Sequence, residues 1–394
     1  MADQRCAPGD AAALARLLVR IDSRNPSLAA DGPGEAEMVR VLRGVLDAWS
    51  FRTAIVEPIA GRPSLVARIG TPGARSLMFN GHLDVVGTEG MIHEPFAGLE
   101  RDGRLYARGA ADMKGGVAAM CAAAWHAANA GSLAGEIVVT AVADEEWGSL
   151  GTRAVLEAGV RADAAVVTEP TRLAIVPAHR GFVWAEITVH GRAAHGSRYD
   201  LGEDAIRLAA HILVELDLLE RDVLASRTHP LLGHASLHAA TIEGGVGFST
   251  YPDRCVVTIE RRTLPGETEE QALREMREAV DRVRDRYPRL RADIVPAGAQ
   301  SPSEVAVDAP IVKALANSLR GRGEEVRVDG LGAWTDAALL NAAGIPALCF
   351  GPGDVSLAHA DEEYLEMDEL ERATTVLAHL AGDWTRGNSG TWQS

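Results

Sequence analysis

The sequence predicts an α/β fold in which a larger domain is interrupted by a smaller inserted one. Segments with apolar residues at helical spacing alternate with short, almost continuously apolar strands, as in sheets that helices cover on both faces. Between the two parts of this pattern, the elements follow a different order, β-α-β-β-α-β. The chain has 394 residues, which is longer than a single hydrophobic core usually supports. Two domains are therefore expected.

The first part of the chain is predicted to begin the larger domain. Helices are predicted over 10–21 and 35–49, where apolar residues recur at helical spacing, over 114–130, which consists mostly of small residues, and over 152–158. Apolar strands are predicted over 53–56, 64–69, 77–79, 136–143 and 164–167. Two connections stand out: a turn-rich break over 23–33, and a long irregular stretch over 87–108 of the kind that is usually functional.

The pattern changes at Gly181. Strands are predicted over 182–190, 236–243, 254–262 and 291–295, and helices over 203–219 and 269–287. Thr268 and Gln271 form a capping box at the start of the second helix. The order is that of a split ferredoxin-like unit. Because this stretch carries few candidate ligands, residues 182–296 are predicted to be an inserted domain.

The α/β pattern returns after Pro296. Helices are predicted over 310–319, 336–343 and 368–381, and a buried strand over 347–350. The larger domain is thus expected to consist of residues 1–181 and 297–384. Residues 385–394 are polar and are expected to form a disordered tail.

Candidate metal ligands lie in segments that follow the apolar strands. In M-F-N-G-H-L-D, the strand breaks at Gly81, and His82 and Asp84 point to the same face because they are two residues apart. A metal-bound histidine usually gives its second ring N–H to an oxygen acceptor, a role that suits Asp84. Asp112 lies where a loop enters a helix, a position from which a carboxylate can bridge two cations.

A lone H-x-D is common by chance, but three later segments complete a ligand set. These segments are D-E-E-W-G-S at 144–149, V-T-E-P-T at 167–171 and A-H-A-D-E at 358–362. Together with the first two segments they supply His, Asp, Glu, Glu and His, as expected of a two-metal hydrolase.

Composition excludes several other classes. The formal net charge of -16 argues against nucleic acid or an anionic membrane as a partner. The four cysteines are far apart and are expected to be reduced, mostly buried thiols: Cys6, Cys121, Cys255 and Cys349. The chain contains neither G-x-G-x-x-G nor G-x-x-x-x-G-K, so it lacks the sequence motifs of dinucleotide-binding and nucleotide-phosphate-binding proteins. The absence of long apolar runs and of a signal-like N-terminus predicts a cytoplasmic protein.

Together, the segments resemble the co-catalytic two-zinc amidohydrolase and exopeptidase family. This family includes acetylornithine deacetylase, succinyl-diaminopimelate desuccinylase, aminoacylase and the glutamate carboxypeptidases. The resemblance covers 11–381 and rests on G-H-L-D-V-V, R-G-A-A-D-M-K-G-G, D-E-E-W-G-S, T-E-P and A-H-A-D-E. It implies a mixed-sheet, helix-flanked metallopeptidase catalytic domain with an inserted βαββαβ ferredoxin-like domain that serves for dimerisation and as a lid.

The resemblance also implies a ligand set for two divalent metal ions. His82, Asp112 and Glu169 would bind one ion, and Asp112, Glu146 and His359 the other, with Asp112 as the bridge. Zinc is the expected metal, with cobalt or manganese as alternatives. A cis peptide bond between Asp112 and the next residue, Met113, is implied as well.

The remaining roles follow from the same resemblance. Asp84 would orient His82, and Glu145 would be the general base for a hydroxide that bridges the metals. In the inserted domain, G-R-A-A-H-G-S places His195 where it would reach the partner subunit's site and hydrogen-bond the oxyanion, which implies a homodimer. In I-E-R-R-T-L-P-G-E, Arg262 would bind a substrate carboxylate.

The expected reaction is hydrolysis of the amide bond of an N-acyl amino acid. A metallo-exopeptidase acting on a dipeptide or an acyl-glutamate-like compound is the alternative within the family, because the bond cleaved is chemically the same. A non-catalytic metal-binding protein is a remote alternative, since neither Glu145 nor any ligand is missing. Ser249 stands where the family usually has an asparagine, so that substrate contact is not carried over. His93 and His179 border the site in the family and are expected to be structural.

Overall fold

The computed structural model describes residues 6–131 and 133–387. Within this part of the chain the helices, α1 to α9 in order, are Ala11–Leu18, Ala36–Ala48, Gly115–Asn129, Leu150–Glu157, Ala205–Asp222, Glu269–Arg286, Pro310–Gly321, Ala337–Ala342 and Met367–Thr385. The strands, β1 to β18, are Arg52–Val56, Ser64–Gly70, Ser76–His82, Leu99–Arg101, Arg104–Tyr106, Glu136–Val142, Ala165–Val167, Ile175–His179, Gly181–His190, Thr228–His229, Gly233–His234, Ser236–Gly244, Arg254–Thr263, Arg291–Gln300, Ser303–Glu304, Val328–Leu331, Ala347–Cys349 and Tyr364–Glu366.

The chain divides into two compact units. The first comprises Met1–Pro177, Val305–Asp329 and Thr335–Ser394, and the second Ala178–Glu304 and Gly330–Trp334. The second unit begins slightly before the predicted insertion and ends after it, because β15 pairs with Ala178 and His179 at the end of β8. Helix α9 continues to Thr385, and residues 388–394 of the predicted tail lie outside the described residues.

The first unit is built on a mixed sheet in the order β1-β2-β6-β3-β7-β17-β8. Its centre is parallel, since β3 runs parallel to both β6 and β7, whereas β1, β2 and β6 pair antiparallel. Every residue of β6 is buried, as expected for a strand covered on both faces. Helices α2, α3, α4 and α9 pack on the sheet, and the many alanines of α3 allow close approach. The predicted mixed, helix-flanked α/β architecture is confirmed.

The parallel centre determines where the chemistry can lie. Adjacent parallel strands end at the same edge of a sheet, which is where α/β proteins place their sites. In the register of the sheet, His82 at the end of β3 lies opposite Val142 at the end of β6, and Asn80 lies opposite Val167 at the end of β7. The segments after these three strands therefore converge at this edge.

The second unit has an antiparallel sheet in the order β12-β13-β9-β14. Helices α5 and α6 pack against each other and against this sheet. Residues of β9 and β13 alternate between buried and half-buried, so that one face forms a core that includes Ile187, Val257 and Met276. The element order confirms the predicted β-α-β-β-α-β unit, to which the structure adds the short hairpin of β10 and β11.

The prediction that residues 87–108 are irregular throughout is wrong. Strands β4 and β5 form a hairpin there, and β5 also pairs with β18. The turn contains Asp102 and Gly103, both with positive φ angles of 53° and 77°, as a two-residue hairpin of the Asp-Gly type requires. The strands are short, so their apolar alternation is too brief to reveal them in the sequence.

Two further predictions can be compared with the described residues. The four cysteines are free thiols, three of them buried, which confirms the expectation. No helix among the described residues combines the length and the apolar character that crossing a membrane requires.

Candidate metal and catalytic site

His82 is buried at the end of β3 and is oriented by the main chain. Its Nδ1 atom lies 2.9 Å from the carbonyl oxygen of Asp84. Because a carbonyl oxygen can only accept, Nδ1 carries the proton and Nε2 is left as the coordinating atom. The Asp84 carboxylate, to which the orienting role was assigned, lies further away, at 3.8 Å from Nδ1.

The carboxylate of Asp84 instead holds the segment that follows β6. Its two oxygens accept hydrogen bonds from the main-chain nitrogens of Glu145 (3.1 Å) and Glu146 (3.2 Å). This segment is a turn and not an extended strand end, since the main-chain oxygen of Asp144 accepts from Gly148 at 3.0 Å. The turn, held by Asp84, therefore sets the directions of the two glutamates.

Asp112 lies between the two histidines of the ligand set. One carboxylate oxygen is 3.0 Å from Nε2 of His82, and the other is 3.5 Å from Nε2 of His359. A carboxylate between two imidazoles is suited to bridging two cations. The peptide bond between Asp112 and Met113 is cis, as the family resemblance implies.

The remaining predicted ligands surround this pair. Oε2 of Glu146 lies 3.0 Å from Nε2 of His359, and Oε2 of Glu145 lies 4.0 Å from Nε2 of His82. Potential ligand atoms of His82, Asp112 and Glu146 lie within 4.8 Å of one another, as do those of His82, Glu145 and Glu169. Neither group is identical to one of the two predicted ligand sets. Which residues bind which ion therefore stays a prediction.

The donor chemistry of this cluster fits divalent cations. It contains imidazole nitrogens and carboxylate oxygens, which suit such ions. Oε1 of Glu146 is buried and has no hydrogen-bond partner among the described residues, an arrangement that is costly unless a ligand occupies it. A cation would satisfy that oxygen and offset the repulsion between the buried carboxylates.

The electrostatics of the cluster show the same excess of negative charge. Burial raises the pKa of Glu145 well above its ordinary value. Burial and the charge of Asp112 raise the pKa of Glu169 to about 8. The hydrogen bond with Glu146 raises the pKa of His359 to about 9. Each of these groups thus retains its proton to a higher pH than usual.

Glu363, to which none of the sequence motifs points, holds the loop that carries Asp112 in place. One oxygen of Glu363 accepts from Nη1 of Arg108 (2.8 Å) and the main-chain nitrogen of Gly109 (2.9 Å). The other accepts from the main-chain nitrogens of Ala111 (3.0 Å) and Asp112 (3.1 Å). An acidic residue in the H-A-D-E-E segment was visible in the sequence, but its long-range partners were not.

Asp336 is a second buried carboxylate to which none of the sequence motifs points. It precedes α8 and accepts a 2.6 Å hydrogen bond from the Thr152 hydroxyl. Its other oxygen has no partner within the described residues. Burial raises its pKa to about 6.

His195 and Arg262 belong to the second unit. The main-chain N–H of Ser197 lies 3.2 Å from Nδ1 of His195, so Nδ1 accepts and Nε2 is free to act as a donor. Nε of Arg262 donates to Glu260 at 2.7 Å, and the guanidinium lies over the Phe182 ring at 5.6 Å. Both predicted substrate contacts thus have their orienting partners within the unit.

The other positions singled out in the sequence have local partners. The main-chain oxygen of Ser249 accepts from Gly196 at 2.7 Å. His93 packs edge-on against Tyr106. Nδ1 of His179 donates to the main-chain oxygen of Arg180 at 2.9 Å, and burial lowers the pKa of His179 to about 4.

The sequence of the chain is similar to a known protein family and to proteins of named activity. The profile of Peptidase_M20, described as peptidase family M20/M25/M40, matches residues 78–383. An acetylornithine deacetylase of Myxococcus xanthus is 34% identical over 322 residues, which cover 80% of this chain and 82% of that protein. An N-formyl-4-amino-5-aminomethyl-2-methylpyrimidine deformylase of Bacillus subtilis (strain 168) is 30% identical over 375 residues, which cover 87% of this chain and 88% of that protein.

The fold is shared with solved structures. The Bacillus subtilis YXEP protein, described as a dinuclear metal binding peptidase from the M20 family, aligns with a TM-score of 0.74 at 17% identity. The alignment covers 95% of this chain and 97% of that chain. At 17% identity, this similarity shows a shared fold and nothing further.

Metal-depleted protein is expected to lose stability as the pH rises from about 6.5 to about 9. Glu169 and His359 have raised pKa values in the folded state, so the folded state binds more protons than the unfolded state across this range. The contribution of Glu169 is complete below its ordinary pKa of 4.5 and is lost by about 8, and that of His359 is complete below 6.5 and is lost by about 9. Bound metal displaces these protons, so stabilisation by added zinc should grow with pH.

The measurement is the thermal unfolding midpoint across this pH range, with a chelator and with zinc. Glu169→Gln and His359→Gln should flatten the dependence in chelator. His238→Gln, at an exposed histidine of the second unit, is the matched control. A midpoint that rises with pH in the chelator contradicts the assignment.

Proposed function

The chain belongs to peptidase family M20/M25/M40, and from that premise we propose that it hydrolyses the amide bond of an N-acyl amino acid. Membership confirms the family resemblance drawn from the motifs, and the chain is a metal-binding hydrolase of amide bonds. The substrate class, a pair of zinc ions and the residue roles below belong to the proposal.

The observation that carries the proposal is the position of Glu145. Its nearly buried carboxyl group lies beside His82 and next to Glu146, at the edge where the parallel strands end. When bound, two divalent cations would acidify a water molecule and polarise the substrate carbonyl. Their proposed ligands are His82, Asp112, Glu146, Glu169 and His359.

In the proposed reaction, Glu145 moves the proton. Its carboxylate takes a proton from the attacking water and then gives it to the nitrogen of the leaving amine. A base positioned in this way accelerates such reactions by roughly 10²–10⁴-fold. Asp84 supports this role because its carboxylate holds the main chain of Glu145. His195 would donate from Nε2 to the oxyanion.

The relatives favour deacylation over peptide cleavage. The two curated relatives described above are named for the removal of an acetyl and a formyl group. Exopeptidase action on a dipeptide is the second candidate, and the description of the Bacillus subtilis structure as a peptidase favours it. A substrate carboxylate at Arg262 is compatible with both reactions, since N-acyl amino acids and dipeptides each have a free α-carboxylate.

A homodimer is the proposed assembly. Strand β12 is an edge strand of the second unit's sheet, with exposed apolar side chains at Ile242 and, beyond its end, at Val246 and Phe248. Exposed strand edges and apolar patches are typical of protein interfaces. Pairing of two second units through this edge would allow His195 to serve the partner subunit.

Glu145→Gln is expected to lower activity by roughly 10²-fold or more while metal content stays unchanged, as for loss of a general base. The amide keeps the shape of the side chain but cannot take the proton. Activity and metal content by elemental analysis are measured on the same samples. Glu146→Gln is the comparison and should lose metal. A Glu145→Gln protein that loses metal would show that the roles of the two glutamates are exchanged.

The substrate class is tested with zinc-loaded protein against N-acetyl and N-formyl amino acids and dipeptides, each as free acid and methyl ester. Free acids of the N-acyl compounds should be the best substrates. Arg262→Ala should raise KM for the acids and have little effect on the esters, and lysine should rescue poorly because it lacks the planar fork. Arg254→Ala, on the same strand, is the control. Equal kinetics of Arg262→Ala and wild type on the acids would remove Arg262 from the site.

Mixed dimers test the role of His195. If each site borrows His195 from the partner, Glu145→Ala and His195→Ala homodimers should both be nearly inactive. A mixed dimer would have one site with both groups and one with neither. Refolding equal amounts together makes about half the dimers mixed, so about a quarter of wild-type activity should return. Sedimentation is used to confirm that dimers form. If mixed dimers form but activity does not recover, His195 acts within the site of its own chain or has no role in catalysis.

A further inference from the structure

A buried network of polar side chains lies behind the turn that carries Glu145 and Glu146. It begins in the turn-rich segment between α1 and α2. Asn25 is fully buried in this segment. Its Nδ2 atom donates to Oδ2 of Asp84 at 2.8 Å and to Oδ1 of Asp144 at 3.0 Å. A single amide group therefore links the two aspartates that flank the site.

Arg62 and Glu35 complete the network. Arg62 forms a bidentate pair with Glu35, with both distances 2.7 Å, and its Nη2 also lies 2.9 Å from Oδ1 of Asp144. The side chains of all three residues are almost fully buried. Oδ1 of Asp144 therefore accepts from both Asn25 and Arg62. The single charge of Arg62 offsets part of the charge of two carboxylates, those of Glu35 and Asp144.

The position of Asn25 is fixed by the main chain. Its N–H donates to the carbonyl of Val85 at 2.8 Å, and the N–H of Val85 donates to the carbonyl of Ser23 at 3.1 Å. The hydroxyl of Ser23 donates to the carbonyl of Leu83 at 2.7 Å. The segment thus runs beside the residues that follow β3, and its register with Asp84 cannot shift without breaking these bonds.

We propose that Asn25, supported by Arg62, is a positioning residue for catalysis and metal binding. The amide fixes the carboxylate of Asp84, and that carboxylate fixes the main-chain nitrogens of Glu145 and Glu146. The general base and a metal ligand are thereby held in one relative position. This inference rests on the proposed function of the two glutamates.

The test compares Asn25→Ala with wild type. Outer residues that orient ligands typically change metal affinity or activity by about 10–100-fold, so kcat should fall by about that factor. KM should stay within about threefold, because Asn25 does not contact substrate. In metal-free protein titrated with zinc against a competing chelator, affinity should fall by about 10-fold or more.

Asn341→Ala is the matched control. Asn341 is a half-buried asparagine of the same unit that makes two 2.9 Å hydrogen bonds to the main chain of Ala347. Its variant should lose some thermal stability but keep kcat and zinc affinity. Arg62→Lys, which retains the charge but not the fork, should behave like Asn25→Ala. If Asn25→Ala does not fold, Asn25→Ser, which keeps one short donor, replaces it.

The outcomes separate the two hypotheses. A wild-type protein that neither binds zinc nor hydrolyses the substrate panel would overturn the proposed function. A wild-type protein that does both, with Asn25→Ala or its serine replacement equal to Asn341→Ala in kcat and zinc affinity, would overturn the positioning role alone. A change in KM without a change in kcat or zinc affinity would also overturn it.

Discussion

Repulsion among buried carboxylates is the constraint on which the first unit depends. Asp84, Asp112, Glu145, Glu146 and Glu169 converge where the parallel strands end, with little contact with water. Buried like charges are costly unless hydrogen bonds or cations compensate them. The protein supplies fixed hydrogen-bond donors to some of these carboxylates and leaves others available for a cation or a proton. The pattern of compensation separates the groups that position the site from those that react or bind.

The positioning carboxylates are saturated by fixed donors. Asp84 accepts hydrogen bonds from the Asn25 amide and from two main-chain N–H groups. Glu363 accepts hydrogen bonds from Arg108 and from three main-chain N–H groups. By contrast, Oε1 of Glu146 has no partner within the described residues, and the pKa of Glu169 is raised to about 8, chiefly by burial. The oxygens of the first group already have hydrogen-bond donors from the protein and need no metal ion to satisfy them. The second group needs one, which is why its members are the better ligand candidates.

Much of the fold could be predicted because its determinants are local. The strands that carry the site are continuous apolar runs, and parallel pairing brings their ends together wherever the chain order allows it. The features that could not be predicted depend on long-range contacts or on the backbone torsion angles of individual residues. The contact of His82 with the Asp84 carbonyl depends on the local backbone path. Asn25 lies 59 residues before Asp84, and nothing in a turn-rich sequence shows that its amide faces inward.

The chemical identity of Asn25 follows from the same constraint. A cation at this position would also hold Asp84, but it would place a positive charge behind the carboxylates that the divalent ions require. A neutral amide supplies two donors without lowering the negative potential of the cluster. Arg62 adds a charge to the network, yet it is paired in bidentate fashion with Glu35, so much of that charge is offset locally. The network can therefore be rigid while the adjacent site remains attractive to cations.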